Sequence, residues 1–213
     1  MPDPALLQDY FIMNSNGTTL RGLKEKSLNQ HGKVIWMTGL SGAGKSTLAL
    51  HLEEELYSHG YLTRVIDNDQ IRNGLNNDLG YSMQDRHENL RRIAEVAKLF
   101  CDTGVIVITS FISPTAFSRE QARAIIGDND FILLYVNASM ESCEQRDVKG
   151  LYKKARMGLI PLFTGIDSAF EAPERVDIEV RTDQTSVQEC IEKILKYILP
   201  RVEYSESLWK DTI

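Results

Sequence analysis

The run Val34-Ile-Trp-Met-Thr38 leads directly into Gly39-Leu-Ser-Gly-Ala-Gly-Lys-Ser-Thr47, and a helical pattern, "STLALHLEEELYSHG", follows without a break. A short apolar strand, a glycine-rich turn and a helix in that order place the turn at the carboxyl end of a strand. Gly39, four residues, then Gly44-Lys45-Ser46 has the spacing of a phosphate-binding loop. Glycines let main-chain N–H groups turn toward phosphate, and the helix start adds its dipole. Lys45 reaches β and γ phosphates, and the Ser46 hydroxyl is a ligand for Mg²⁺. The dinucleotide fingerprint G-x-G-x-x-G fails, because Thr47 stands where its last glycine belongs. The other use of such a turn is simply to join strand to helix.

The alternation continues beyond the loop. "TRVID", "VIVITS", "FILLYV" and "VDIEVRT" are expected strands. "RHENLRRIAEVAKLFCDTG", "PTAFSREQARAII", "SMESCEQR" and "SVQECIEKILKYIL" are expected helices. Near-continuous apolar strands separated by amphipathic helices predict an α/β, doubly wound fold. The expectation is a mostly parallel five-stranded sheet with helices on both faces. Residues 1–31 depart from the alternation as an N-terminal extension, 32–200 form the expected domain, and 201–213 form a tail. Within the domain, residues 149–173 are rich in basic residues, glycine and proline, the composition of a lid.

At 213 residues the chain is long enough to bury a core without staples. Cys101, Cys143 and Cys190 lie far apart and form no C-x-x-C pair, so free buried thiols are expected rather than zinc or a disulfide framework. A net charge of −6 excludes a general nucleic-acid surface, which needs dense positive charge. "MPDPALLQDYFIMNSNG" lacks a basic start followed by an apolar run, and no segment has the apolar length to span a bilayer. A cytoplasmic protein without membrane contact is expected, with any anion site a local concentration of cations.

In open parallel sheets, ligands bind beyond the carboxyl ends of strands. "VIDNDQIRNGL" puts Asp67 and Asp69 there, where a carboxylate orients a hydroxyl, takes its proton or holds Mg²⁺ through water. Helix capping is the other use of such aspartates. Farther on, Arg86 and Asn89 share a helix face, with Arg91 and Arg92 beside them, and Arg72 precedes them. Arginine forks suit doubly charged anions; Glu88 pairing with Arg91 or Arg92 is the alternative. The lid carries Arg146, Lys149, Lys153, Lys154 and Arg156, which would close over phosphates and exclude water. Tyr81 and Phe163 are candidates to sandwich a flat base, although aromatic residues serve more often as core.

The blocks "GLSGAGKST", "LGYSMQDRHENLRRIAEVAKLF", "ITSFISP", "RDVKGLYKKAR" and "FTGIDSAFEAPE" resemble, in the same order, those of adenylylsulfate kinases. Members of that family transfer the ATP γ-phosphate to the 3′-hydroxyl of adenosine 5′-phosphosulfate. The resemblance runs from about Gly32 to Ile194. It implies ATP contacts at Gly39, Ser41, Gly42, Ala43, Gly44, Lys45, Ser46 and Thr47. It implies an acceptor site at Asp67, Asp69, Arg72, Tyr81, Arg86, Asn89, Ile112, Ser113, Lys149 and Phe163. Lys45, Asp69 and Ser113 would serve catalysis; Ser113 matches a serine described in the family as a phosphoserine intermediate, though in-line transfer needs only a binding role there. A P-loop, nucleotide-kinase-like fold, Mg²⁺ and a homodimer are also implied. The family usually reads D-G-D-N where this chain has Asp67-Asn68-Asp69-Gln70, phenylalanine at Tyr81, an acidic residue at His87, and K-G-F-T-G-I-D at Pro161 to Asp167. These departures leave open a kinase of another anionic nucleotide-like acceptor, or a non-catalytic nucleotide-binding partner of a sulfurylase.

Overall fold

The computed structural model describes residues 19–205. In chain order its elements are α1 (Leu20–Leu28), β1 (Val34–Thr38), α2 (Lys45–Ser58), β2 (Thr63–Asp67), α3 (Asn68–Arg72), α4 (Met83–Cys101) and β3 (Ile106–Ser110). There follow α5 (Ala116–Ile126), β4 (Phe131–Asn137), α6 (Met140–Arg146), α7 (Leu151–Arg156), β5 (Ile178–Arg181) and α8 (Val187–Val202). The five strands form one sheet in the order β2-β3-β1-β4-β5, and every neighbouring pair is parallel.

Strand position explains composition. β1 and its neighbour β3 are buried along their whole length, whereas the edge strands β2 and β5 alternate in exposure. Along β1, Ile35 and Met37 face a core shared with α2 and α8, while Val34 and Trp36 face a second core shared with α4 and α5. β4 divides in the same way, with Ile132, Leu134 and Val136 on the first side and Phe131 and Leu133 on the second. The two-residue period of a strand thus feeds two helical layers from one sheet.

Residues 20–28 of the stretch set apart as an N-terminal extension form α1, which packs at the amino ends of the strands. Arg21 makes a two-pronged pair with Asp130, just before β4, at 2.6 and 3.0 Å. Glu25, itself buried, accepts from Gly32 N and meets His31 Nδ1 at 3.0 Å. Gln30 donates to the carbonyls of Leu62 and Gly104, which precede β2 and β3. α8 runs through Pro200 to Val202, whose carbonyl receives His31 N at 2.7 Å. This whole assembly lies at the end of the sheet opposite the phosphate loop, so α1 does not cap the site. The three cysteines are free and buried, as expected from their spacing. Among the described residues, no helix is long and apolar enough to cross a membrane.

Candidate active site

The loop between β1 and α2 is shaped by close backbone approaches. A Cβ on Gly39 would sit 2.3 Å from the Val136 carbonyl oxygen, and one on Gly42 would sit 2.8 Å from that of Cys143. Both positions also have positive φ, so glycine is required twice over. The start of α2 differs from that of the other long helices. Ser82, Thr115 and Ser186 cap α4, α5 and α8 through their hydroxyls, but Gly44 leaves the first turn of α2 without a side-chain cap. Its free N–H groups and dipole remain available to an anion.

Lys45 is buried, and its Nζ donates to the carbonyls of Gly39 and Leu40 at 2.9 and 2.7 Å. Burial lowers its pKa to about 8. Next to it, Ser46 Oγ donates to Asp67 Oδ2 at 2.8 Å and lies 3.1 Å from Ser110 Oγ. Asp67 also caps α3 by accepting from Asp69 N at 3.0 Å, so the capping and oxygen-cluster uses of this aspartate coexist.

These groups open onto a cleft of about 1060 Å³. Ser41, Gly42, Gly44, Lys45, Ser46 and Thr47 line it on the loop side, with Asp67 against Ser46, and Asp69, Arg72, Tyr81, Arg86, Asn89, Ile112, Ser113, Lys149 and Phe163 line the rest. Gly39 and Ala43 shape the loop from behind, Ala43 being fully buried. The acceptor-side cations are engaged with protein atoms. Lys149 forms an ion pair with Asp69, which raises the lysine pKa. Arg86 donates to the carbonyls of Tyr81 and Leu162 and to Thr164 Oγ1, tying the segment after α7 to α4; burial and then nearby Arg72 lower its pKa. Arg72 donates to the carbonyls of Leu79 and Gly80, with its guanidinium 4.4 Å from the Tyr81 ring centre.

Other placements differ from the sequence expectation. Lys153, Lys154 and Arg156 do not line the cleft: they point to solvent from α7, and Arg156 is paired with Glu144 at 3.0 Å. Helical spacing turns Tyr152 and Ala155 inward instead, and Tyr152 donates to the Ser41 carbonyl at 2.9 Å. Phe163 is edge-on to Tyr152 at 5.0 Å, and so belongs to the core while touching the cleft. Arg91 and Arg92 are held by Glu88, away from the cleft. Ser113, 1% exposed and at φ +45°, accepts from Trp36 Nε1 at 3.1 Å, while its carbonyl receives Arg119 Nη1 at 3.0 Å.

The family model described as adenylylsulphate kinase matches residues 31–181. The chain belongs to that family. An adenylyl-sulfate kinase of Bacteroides thetaiotaomicron is 52% identical over 180 residues, covering 84% of this chain and 90% of the relative. One of Clostridium acetobutylicum is 52% identical over 175 residues, covering 82% and 87%. The APS kinase of Mycobacterium tuberculosis, solved in complex with AMPPNP and APS, is 43% identical with a TM-score of 0.77, covering 79% of this chain and 98% of that one.

Within this adenylylsulphate kinase fold, the cleft also includes Thr182 and Thr185, which sequence reasoning did not single out. Thr182 Oγ1 donates to the Ala43 carbonyl at 2.8 Å, and Arg146 bridges the Gly42 carbonyl and Thr182. The signal that would have found Thr182 is its place immediately past β5, on the same sheet edge as the loop.

Proposed function

We propose that the chain transfers the γ-phosphate of ATP to the 3′-hydroxyl of adenosine 5′-phosphosulfate, giving ADP and the 3′-phosphorylated nucleotide. The observation that carries this reading is a cleft that joins an uncapped phosphate loop to Asp69, within a chain of this family. ATP enters with its β and γ phosphates on the loop N–H groups, and Lys45 exchanges the Gly39 and Leu40 carbonyls for phosphate oxygens. The acceptor displaces Lys149 from Asp69. Asp69 then orients the 3′-hydroxyl and takes its proton as the new O–P bond forms and the bond to the β-phosphate oxygen breaks. Arg86, Arg72 and Asn89 hold the acceptor, with the Tyr81 ring beside it. Ser113 Oγ already accepts from Trp36, so its own proton is left to donate to a ligand, a binding role.

The clustered oxygens of Ser46, Asp67 and Ser110 fit Mg²⁺, a hard ion that prefers oxygen and keeps phosphate and water among its ligands. Bound there through Ser46, it would neutralise charge on the phosphates. A homodimer is the state the family resemblance suggests, a cytoplasmic location is carried over from the reading of the N-terminal sequence, and a sulfurylase is the partner class this reading allows. The test is ADP release from MgATP with and without adenosine 5′-phosphosulfate, together with direct detection of the 3′-phosphorylated product. Acceptor-dependent turnover supports the reading. Nucleotide binding without turnover would leave a binding subunit, and turnover only with another anionic nucleotide would move the substrate.

A further inference from the structure

Asn89 offers the cleft one atom of its amide, and a second, fully buried amide decides which one. Asn76 lies in the loop between α3 and α4, does not line the cleft, and has no exposed surface. Its Nδ2 donates to Asn89 Oδ1 at 3.0 Å and lies 3.4 Å from the Asn89 main-chain oxygen. On the far side, its Oδ1 faces Arg92 Nη1 at 3.5 Å. A peptide carbonyl only accepts and a guanidinium only donates, so both neighbours hold Asn76 in the same sense. Arg92 is itself fixed: Nε donates to Glu88 at 2.9 Å, and Nη1 and Nη2 donate to Asp78 at 2.8 and 2.9 Å.

The order of donors and acceptors therefore runs one way, from two carboxylates through a guanidinium and a buried amide to Asn89. With Oδ1 of Asn89 occupied, Nδ2 is the atom left for a ligand; among the described residues it has no hydrogen-bond partner. We propose that Asn76 is a positioning residue that sets the polarity of the Asn89 amide, so that the acceptor end of the cleft presents a donor to an oxygen or ring nitrogen of the acceptor nucleotide. This rests on the acceptor placement proposed above. Reversal of the Asn89 amide would set its oxygen against that acceptor atom and leave both without a proton between them, a larger loss than deletion of one neutral hydrogen bond.

Two variants of Asn76 separate polarity from packing. Asn76→Asp keeps the shape and welcomes Arg92, but it cannot donate; Asn89 then turns its Nδ2 toward residue 76 and its oxygen toward the cleft. Asn76→Ser leaves a void and is the less stable of the two, yet its hydroxyl still donates. The expected result is that Asp raises the acceptor KM by about tenfold or more with the MgATP KM within about twofold, whereas Ser raises it only a few-fold despite its lower Tm. Acceptor KM that follows Tm across the two variants, or is unchanged in Asp, overturns the proposal. Should Asn76→Asp not fold, the wild-type protein decides. The side-chain ¹⁵N resonance of Asn89, assigned by its loss in Asn89→Ala, should move when adenosine 5′-phosphosulfate is added with ADP, while that of Asn76 stays nearly fixed. An Asn89 resonance that ignores the acceptor overturns the proposal. Failure of the proposed function is distinguishable, because wild-type protein would then show no acceptor-dependent ADP release.

Discussion

The two ends of the cleft are built in different ways. At the donor end, the chain itself makes the site: Gly39 and Gly42 bring main-chain atoms into approaches no other residue permits, and α2 starts without a side-chain cap. At the acceptor end, side chains make the site, and they are occupied with one another or with nearby carbonyls: Lys149 with Asp69, Arg86 with Leu162 and Thr164, Arg72 with Leu79 and Gly80. A phosphate therefore meets a preformed main-chain cradle in which exchange of partners falls to side chains such as Lys45, whereas the acceptor end is built almost wholly of side chains that must exchange partners. The Lys149–Asp69 pair is well exposed, so its release costs little. Pre-organisation is concentrated where every kinase substrate carries the same group, and adaptability where the acceptor is recognised.

The largest expected effect falls at the donor end. Lys45→Ala should reduce turnover by at least about a thousandfold, since it removes the cation that meets the transferring phosphoryl. The fold should survive, because the buried ammonium is held only by two carbonyls and its removal relieves desolvation. Far-ultraviolet circular dichroism and a steady-state assay check both halves of this expectation; near-normal turnover would remove the loop from the mechanism. Next comes Asp69→Asn, which keeps the shape but cannot take a proton. It should lower kcat by about 10² to 10⁴ and leave the acceptor KM within a few-fold. An unchanged kcat excludes Asp69 as the base and reduces the acceptor end to binding alone.

Much of the difference between the two ends was legible in the sequence, for a physical reason. The phosphate loop is contiguous, so its spacing encodes its geometry. The acceptor end converges from α3, α4, the loop after β3 and the segment around α7, and its residues were assigned largely through resemblance. Basic composition suggested that Lys153, Lys154 and Arg156 close over the site, but the helical period around Tyr152 and Ala155 turns them outward. The strands were found to within two residues at each start, the last of them, expected from Val176, beginning at Ile178, because long apolar runs announce buried parallel strands. α1 escaped notice because ion pairs such as Arg21 with Asp130, distant in sequence, hold it in place rather than a long apolar face. The start of α4 at Met83 was readable in principle: Ser82 accepts from Asp85 N, a cap four residues ahead of the expected beginning at Arg86.

A smaller effect should appear as pH is varied. Lys45 titrates near 8 in the folded protein, below the ordinary lysine value of 10.5. Between those values the unfolded chain holds a proton that the folded chain has released, so this group's contribution to stability rises with pH across that window. Nucleotide binding runs the other way, because phosphates favour the charged ammonium. MgATP affinity should therefore weaken above about pH 8, and binding at pH 8.5 should take up protons. Calorimetry in two buffers of different ionisation enthalpy measures that uptake. Equal apparent enthalpies in both would show that Lys45 stays charged and that the donor end gains nothing from protonation.

The smallest effect tests the acceptor end through two positions where family resemblance leads one to expect glycine. Asn68 begins α3 with ordinary backbone angles, behind the Asp67 cap, so glycine has no conformational advantage there. Leu162 stands at φ +57°, in the left-handed region, with its carbonyl taken by Arg86 and its side chain half exposed. A leucine in that conformation stores about 1 to 2 kcal/mol, against about 0.5 to 1 kcal/mol of extra chain entropy that glycine loses on folding. Leu162→Gly should thus raise the thermal midpoint by roughly 1 to 4 °C, and Asn68→Gly should lower it by a similar amount. If Leu162→Gly instead lowers the midpoint, the side chain contributes packing that outweighs its backbone strain, and the loop that carries the Arg86 contact is held by more than that hydrogen bond.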